Sequence, residues 1–305
     1  MEGDTGTDGE ADDDGITVER QSPEAAFALL GDETRVGILR ALGETPDEPV
    51  SFAELQGRVG MRDSGGFNYH LGKLRGSFVR RTEDGYELTY AGRQVVGAIH
   101  AGTYTANATV EAIPVEGECP VCGGGLVAEY AEETARMNCT ECEEWRNEFG
   151  FPPGSLDQFS REELPLAFDR WMQHVFGGII AGVCYTCAGR MEGRLVLDEG
   201  DERVAGMPAH AEFECGRCGS TARASAAMPA MFHPGVQGFL YEHGFDRSTE
   251  PSWALGDASL PDVSLESTDP LRLAVTFAVG EESVTAVVES DTSVSSVERS
   301  DDGEA

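Results

Sequence analysis

The chain has 305 residues, 40% of them hydrophobic, and a formal net charge of −33 from 55 acidic and 22 basic side chains. That length suggests about two domains. The apolar share excludes a wholly disordered acidic protein, and no run reaches the roughly 18 apolar residues of a membrane helix.

Residues 1–22 carry eight acids, one arginine and no apolar core, so they read as a disordered acidic tail and not as a signal peptide. From Pro23 to about residue 30 the positions of Ala26, Phe27 and Leu30 are helical. Asp32 can cap a second helix with Val36, Leu39 and Leu42 on one face. Ser51-Phe-Ala-Glu54 is a capping box opening a short third helix over about 52–59. A turn at Gly60–Ser64 leads into a fourth helix over about 65–76. Residues 78–82 and 86–89 flank Glu83-Asp84-Gly85 as a β-hairpin, and a fifth helix covers about 91–102. Helices followed by a hairpin are the layout of a winged helix-turn-helix, here assigned to residues 23–105.

Beyond residue 105 the style changes. The segments 126–130, 194–197 and 211–214 read as strands among four CxxC pairs. An amphipathic helix over about 161–181 opens with Ser160 and Glu163 and places Leu164, Phe168, Trp171 and Val175 on one face. A short helix is expected near 235–243. Residues 271–279 and 284–288 alternate around Gly280 as a second hairpin. The C-terminal domain is placed at 106–290, and 291–305 reads as a flexible tail. The expected fold class is α+β: the winged helix-turn-helix, then an α+β domain with two four-cysteine, zinc-ribbon-like sites.

In the fourth helix, Phe67, Leu71 and Leu74 fall with Phe78 in one stripe that must face a core. Gly65, Asn68, Tyr69, Gly72 and Lys73 then point away. Asparagine can bond adenine edges bidentately, and lysine can reach guanine or phosphate. From residue 58 to 81 the basic side chains are Arg58, Arg62, Lys73, Arg75, Arg80 and Arg81 against Asp63 alone, a local net of five positive charges in an acidic chain. Phosphate contact explains such an island economically. The expected partner is double-stranded DNA, touched by Arg62, Ser64, Asn68, Tyr69, Lys73 and Arg75, with Arg80 and Arg81 at the base of the wing. A helix-turn-helix can also dock on protein, Tyr69 can serve surface packing, and His70, about 60° from the core stripe, reads as a structural histidine.

Residues 24–102 resemble the ArsR-type winged-helix regulators, and more closely their haloarchaeal relatives. The resemblance rests on Leu30-Gly-Asp-Glu-Thr-Arg35 with Ile38-Leu39, on Ser51-Phe-Ala-Glu-Leu55, on Tyr69-His-Leu71 with Leu74, and on Glu83-Asp-Gly-Tyr-Glu-Leu-Thr89. It covers about a quarter of the chain. It implies a homodimer on a pseudo-palindromic site, usually a repressor, with half-sites about one helical turn apart. The fifth helix, with Val95, Val96 and Ile99, is a candidate dimer element, packing within its own subunit being the alternative. Metal-sensing members carry cysteines in the winged helix; this stretch has none, so that switch does not transfer.

The cysteines are spaced Cys119-x2-Cys122, sixteen residues, Cys139-x2-Cys142, then Cys184-x2-Cys187, 27 residues, Cys215-x2-Cys218. Two knuckles joined by a hairpin place four thiolates tetrahedrally on zinc. Two zinc sites are therefore expected, sequential pairing being the simplest; iron fits the same ligands. His210, His233 and His243 are the alternative ligands. Closed sites of this kind have no open position for a substrate, so the ions read as replacements for a missing core.

Only one of the basic residues is lysine, Lys73, and the other 21 are arginine. With the net charge this suggests a salt-rich cytoplasm, where cysteines serve metals rather than disulfides. Residues 106–305 carry 36 acids and 12 basic residues, a poor DNA surface and a plausible protein-binding one. No phosphate loop, dinucleotide glycine pattern, HExxH or Ser/His/Asp set is evident. The expected function is a sequence-specific transcription regulator rather than an enzyme. The alternatives are a protein-interaction module of the transcription machinery and a thiol- or metal-responsive sensor.

Overall fold

The computed structural model describes residues 15–198 and 207–301. It divides into two compact units, Met1–Ala106 and Asn107–Ala305, so the composition change after residue 105 marks the boundary. Residues 1–14, most of the expected acidic tail, lie outside the described residues.

The first unit runs α1 (Pro23–Leu30), α2 (Glu33–Gly43), α3 (Phe52–Val59), α4 (Ser64–Leu74), β1 (Val79–Arg81), β2 (Tyr86–Leu88) and α5 (Tyr90–His100). Each helix starts where a short polar side chain takes up an orphan N–H. Ser22 accepts from Ala25, Asp32 from Arg35, Ser51 from Glu54, Asp63 from Gly65 and Thr89 from Gly92. Ile38, Leu39 and Leu42 of α2, Leu55 of α3, Phe67, Leu71 and Leu74 of α4, and Val79 and Leu88 of the hairpin form one buried core. Val50 exchanges both backbone hydrogen bonds with Tyr86, at 3.0 and 2.9 Å, and so adds a single-residue bridge to the edge of the hairpin. Gly85 permits this: at φ 158°, a Cβ there would lie 2.5 Å from the Val50 carbonyl oxygen. Helix α1 differs from the rest. It buries no residue, and Phe27 is 71% exposed.

The second unit carries three antiparallel sheets. The first is a meander of β3 (Val110–Glu118), β4 (Gly125–Ala131), β5 (Thr134–Cys139) and β6 (Arg146–Gly150), followed by a 3-10 turn and α6 (Leu164–Ile180). The second is β7 (Met191–Leu197), β8 (Ala209–Cys215) and β9 (Thr221–Ser225). Then come α7 (Met228–Met231), α8 (Pro234–Glu242) and the third sheet: β10 (Asp262–Thr268), β11 (Leu271–Val279), β12 (Glu282–Glu289) and β13 (Val294–Asp301). Helix α6 links two cores. Its N-terminal half lays Phe168 on Tyr130 and Phe151, while Trp171 Nε1 donates to the Gly150 carbonyl at 2.8 Å. Its C-terminal end, through Ile179, joins a core shared by β7–β9 and the inward residues of β11 and β12.

Two expectations need correction. The expected flexible tail at 291–305 is, over its described part, not loose: β13 pairs along β12 from Glu282↔Asp301 to Val288↔Val294, and Val294 and Val297 pack against the core. Its polar residues mislead because an edge strand meets water on one face. Residues 302–305 lie outside the described residues. The Ser160/Glu163 box forms only by its return half, the Glu163 carboxylate accepting from the Ser160 N–H at 2.8 Å, and regular helix starts at Leu164.

Candidate metal centres and basic helix face

Each four-cysteine set assembles from the turns at one end of a sheet. Cys119 and Cys122 lie in the β3–β4 turn, Cys139 ends β5 and Cys142 follows it. Cys184 and Cys187 precede β7, Cys215 ends β8 and Cys218 lies in the β8–β9 turn. The pairing is sequential, and within each set all four sulfurs lie within 4.8 Å of one another. The measured contacts are Cys119–Cys142 at 3.8 Å, Cys122–Cys139 at 3.5 Å, Cys184–Cys218 at 3.6 Å and Cys187–Cys215 at 3.6 Å. Four sulfurs about 2.3 Å from a tetrahedral ion stand about 3.8 Å apart. Both sets thus have the chemistry and spacing to hold a metal ion.

Three of the four knuckles share one backbone turn. The N–H of the first cysteine donates five residues ahead, and its carbonyl accepts from the residue four ahead. The pairs are Cys119 with Gly124 and Gly123, Cys184 with Gly189 and Ala188, and Cys215 with Ser220 and Gly219. The fourth-ahead residue takes positive φ in each: Gly123 at 75°, Ala188 at 54° and Gly219 at 72°. Glycine is cheap there, whereas Ala188 pays for its Cβ. Ala188→Gly is therefore expected to raise stability by roughly 0.5–1 kcal/mol, read as a higher urea midpoint of the metal-loaded protein.

The knuckles also aim N–H groups at sulfur. Cys139 Sγ accepts from Glu141 at 3.3 Å and from Cys142 at 3.4 Å, which holds its free thiol down at about 7. Cys184 Sγ accepts from Thr186 at 3.4 Å. The Ser220 hydroxyl, 3.2 Å away, is the main cause that holds Cys218 down to about 6. Such contacts favour thiolate, the form that binds metal. Cys119, Cys184 and Cys215 are buried, whereas Cys122 and Cys218 are exposed.

None of the alternative histidines joins either set. His210 is 4% exposed, its Nδ1 2.5 Å from Asp198 and its Nε2 3.2 Å from Glu212. His233 Nδ1 accepts from Gly235 and caps α8, and His243 Nδ1 donates to the Phe239 carbonyl.

In the first unit, α4 turns Phe67, Leu71 and Leu74 inward and leaves Asn68, Tyr69, Gly72 and Lys73 exposed, as the stripe predicts. Lys73 lies over the Tyr69 ring at 5.5 Å. Arg62 precedes the helix and Arg75 is its C-cap, both exposed. Ser64 is exposed, but its hydroxyl is engaged with the Gln56 amide at 3.0 and 3.2 Å, tying α4 to α3. Two cations of the island are spent locally. Arg58 pairs with Glu54 at 2.6 Å and donates to the Ala41 carbonyl, and Arg80 pairs with Glu87 across the hairpin at 2.7 Å. Arg81 is exposed, 6.0 Å from the Tyr86 ring centroid. His70 Nδ1 lies 3.2 Å from Asp32, the cap of α2, consistent with a structural place. In α5, Val96 is buried in its own unit, so of the expected dimer residues only Val95 and Ile99 stay half exposed.

Sequence reasoning did not find Asp169, a fully buried carboxylate on the same helix as Phe168. It accepts from the Ser252 hydroxyl, from the Ser252 N–H at 3.2 Å and from Gln173 Nε2 at 2.6 Å. Burial still holds its carboxyl above the usual carboxylate range. Acids are so frequent in this chain that no local signal distinguishes it. No helix among the described residues is long and apolar enough to cross a membrane.

No curated protein matches the chain, and no solved structure matches it. Residues 23–99 match the model described as Domain of unknown function (DUF7347), which covers the first unit from α1 almost to the end of α5. A second model matches residues 116–294 and takes in all eight cysteines. That span exceeds half of the chain, and the protein therefore belongs to the family described as Domain of unknown function (DUF7351).

Proposed function

We propose that the protein is a sequence-specific DNA-binding transcription regulator. Its first unit acts as a winged helix-turn-helix, and two zinc ions brace the second unit. One observation carries the reading: α4 exposes Asn68, Tyr69 and Lys73 on the side opposite its buried stripe, flanked by Arg62 and Arg75. A helix with that face suits a major groove, and the Val50-strengthened hairpin suits a wing. In 1 M salt the Debye length is about 3 Å, so binding rests on direct contacts more than on long-range attraction. Zinc is the ion best matched to four thiolates in closed tetrahedral sites, with iron the competitor.

Fluorescence anisotropy of metal-loaded protein in molar KCl, against duplexes tiled from its own upstream region, tests the reading. One duplex is expected to bind preferentially. Asn68→Ala is expected to cost roughly 1–3 kcal/mol, about five- to 150-fold in Kd, on that duplex alone. Lys73→Ala weakens all duplexes together if Lys73 meets phosphate. Equal or absent binding on every duplex, in protein with an intact fold, overturns the proposal in favour of docking on transcription proteins. The proposed homodimer uses α1 and α5, where Phe27 supplies an uncovered ring; sedimentation in the same buffer measures it.

The exposed Cys122 and Cys218, one per set, favour a second reading as a thiol- or metal-responsive sensor. That reading predicts zinc release by mild peroxide together with a change in DNA affinity.

A further inference from the structure

The second unit contains a cavity of about 460 Å³ that belongs to neither four-cysteine set. It lies between β6, the middle of α6, β9, α7 and the turn before β10, so both sheets that carry cysteines contribute to its wall. Its volume is within the range of small-ligand pockets, roughly 300–1,000 Å³. Four of the eight methionines in the chain, Met172, Met207, Met228 and Met231, line it. Thioether side chains adapt to irregular apolar bodies. Phe176 and Phe232 add aromatic surface.

Three arginines line the cavity; Arg146 lies near Glu148 and Arg223 near Asp198, whereas the half-buried Arg247 is held by neutral partners. Arg247 Nη1 donates to the Met231 carbonyl at 3.1 Å, and its Nε and Nη2 reach Gln173 Oε1 at 3.4 and 3.3 Å. The guanidinium lies 4.1 Å from the Phe232 ring centroid. Those partners are neutral and occupy three of the five N–H bonds. One N–H remains on each terminal nitrogen, leaving two donors for the oxygens of a carboxylate. Asp169 does not take them up. Its oxygens serve Ser252 and Gln173, and Gln173 stands between it and Arg247. Burial pushes the guanidinium below its usual range, as expected of a cation held away from water without a contacting anion.

The remaining wall restricts the anion. Glu144 and Glu148 also line the cavity and offset the charges of Arg146 and Arg223 there, so beyond Arg247 the wall adds no net positive charge to hold multiply charged ligands such as nucleotides. The methionines and phenylalanines offer a sugar few hydrogen-bonding partners.

We propose that this cavity binds a small apolar monocarboxylate, its carboxylate on the two remaining N–H groups of Arg247 and its aliphatic or aromatic body among Met172, Phe176, Met228, Met231 and Phe232. The inference holds whether or not the first unit binds DNA. Isothermal titration of the metal-loaded full chain in molar KCl tests it with octanoate and phenylacetate. Octanamide and phenylacetamide are the neutral counterparts, and inorganic phosphate is the hydrophilic anion. At least one carboxylate is expected to saturate a single site, with its amide at least tenfold weaker and phosphate silent. Arg247→Met is expected to weaken the carboxylate at least tenfold. Met228→Trp, which fills the cavity with Arg247 in place, is expected to do the same should the first variant fail to fold. Saturation by neither carboxylate overturns the proposal, as do equal affinity for amide and carboxylate, equal binding of phosphate, or unchanged binding in the folded Met228→Trp variant.

Discussion

Stripping the metal with a strong chelator is expected to loosen the second unit while the first stays folded. Zinc bound to sets of this kind contributes on the order of 10–16 kcal/mol of apparent free energy at neutral pH, as large as the whole stability of an ordinary domain, roughly 5–15 kcal/mol. The structure places Cys119 in the core around Tyr130 and Phe168, and Cys184 and Cys215 in the core shared with β11 and β12. Loss of an ion held by either set would therefore open a core and not merely a loop. All three tryptophans, Trp145, Trp171 and Trp253, lie in this unit, and Trp253 Nε1 donates to the Glu116 carbonyl at 2.9 Å beside the first knuckle. Their emission reports on the second unit alone. A red shift on chelation, release of two equivalents of zinc to a chromophoric indicator, and helical circular dichroism retained from the first unit are expected together. Cys139→Ser and Cys215→Ser each should lose one equivalent. Unchanged emission in metal-free protein would remove the structural role. Acid acts in the same direction: each thiolate that takes up a proton gives up its metal bond, so the ions leave as pH falls and bind more tightly as it rises.

Asp169→Ala should cost at least about 3 kcal/mol. The substitution deprives three donors, the Ser252 N–H and hydroxyl and the Gln173 amide, of their fully buried acceptor. An unsatisfied buried donor costs about 1–3 kcal/mol, and Arg247 also loses the one buried charge that offsets its own. The side chain removed is small, so cavity formation adds little. Urea unfolding followed by tryptophan emission measures the loss. Asp169→Asn, which retains one acceptor oxygen, should recover part of it. A change below about 1 kcal/mol for the alanine variant would mean that water or a rearranged Gln173 satisfies the donors, and that Asp169 does not organise the wall of the cavity.

The first unit was almost wholly legible in its sequence, because its signals are local. Ser22, Asp32, Ser51, Asp63 and Thr89 stand at the five helix starts, and a 3.6-residue stripe of Phe67, Leu71 and Leu74 orients α4 without reference to any other element. The eight cysteines were equally plain, and their sequential pairing follows from the two hairpins that bring the knuckles together. The recurring positive φ four residues after the first cysteine was visible as Gly123 and Gly219, and hidden at Ala188.

Much of the second unit was not legible. Strands β3, β5, β6, β9, β10 and β13 went unread because each is short or polar on one face, and a strand of that kind is defined by its neighbour's hydrogen bonds more than by its own residues. β13 looked like tail until β12 gave it a ladder to join. In the same way, nothing local marks Arg80 as neutralised by Glu87 or Arg58 by Glu54, since cross-strand register and helix packing set those pairs. Asp169 and Arg247 are 78 residues apart and meet only through Gln173 and the fold around it. The sequence by itself therefore determined where the helices of the first unit begin, which face α4 hides and which thiols can share an ion, all properties of neighbouring residues. Tertiary structure alone decided which charges remain available and where an apolar cavity meets a half-buried cation, because burial and charge pairing depend on segments distant in the chain.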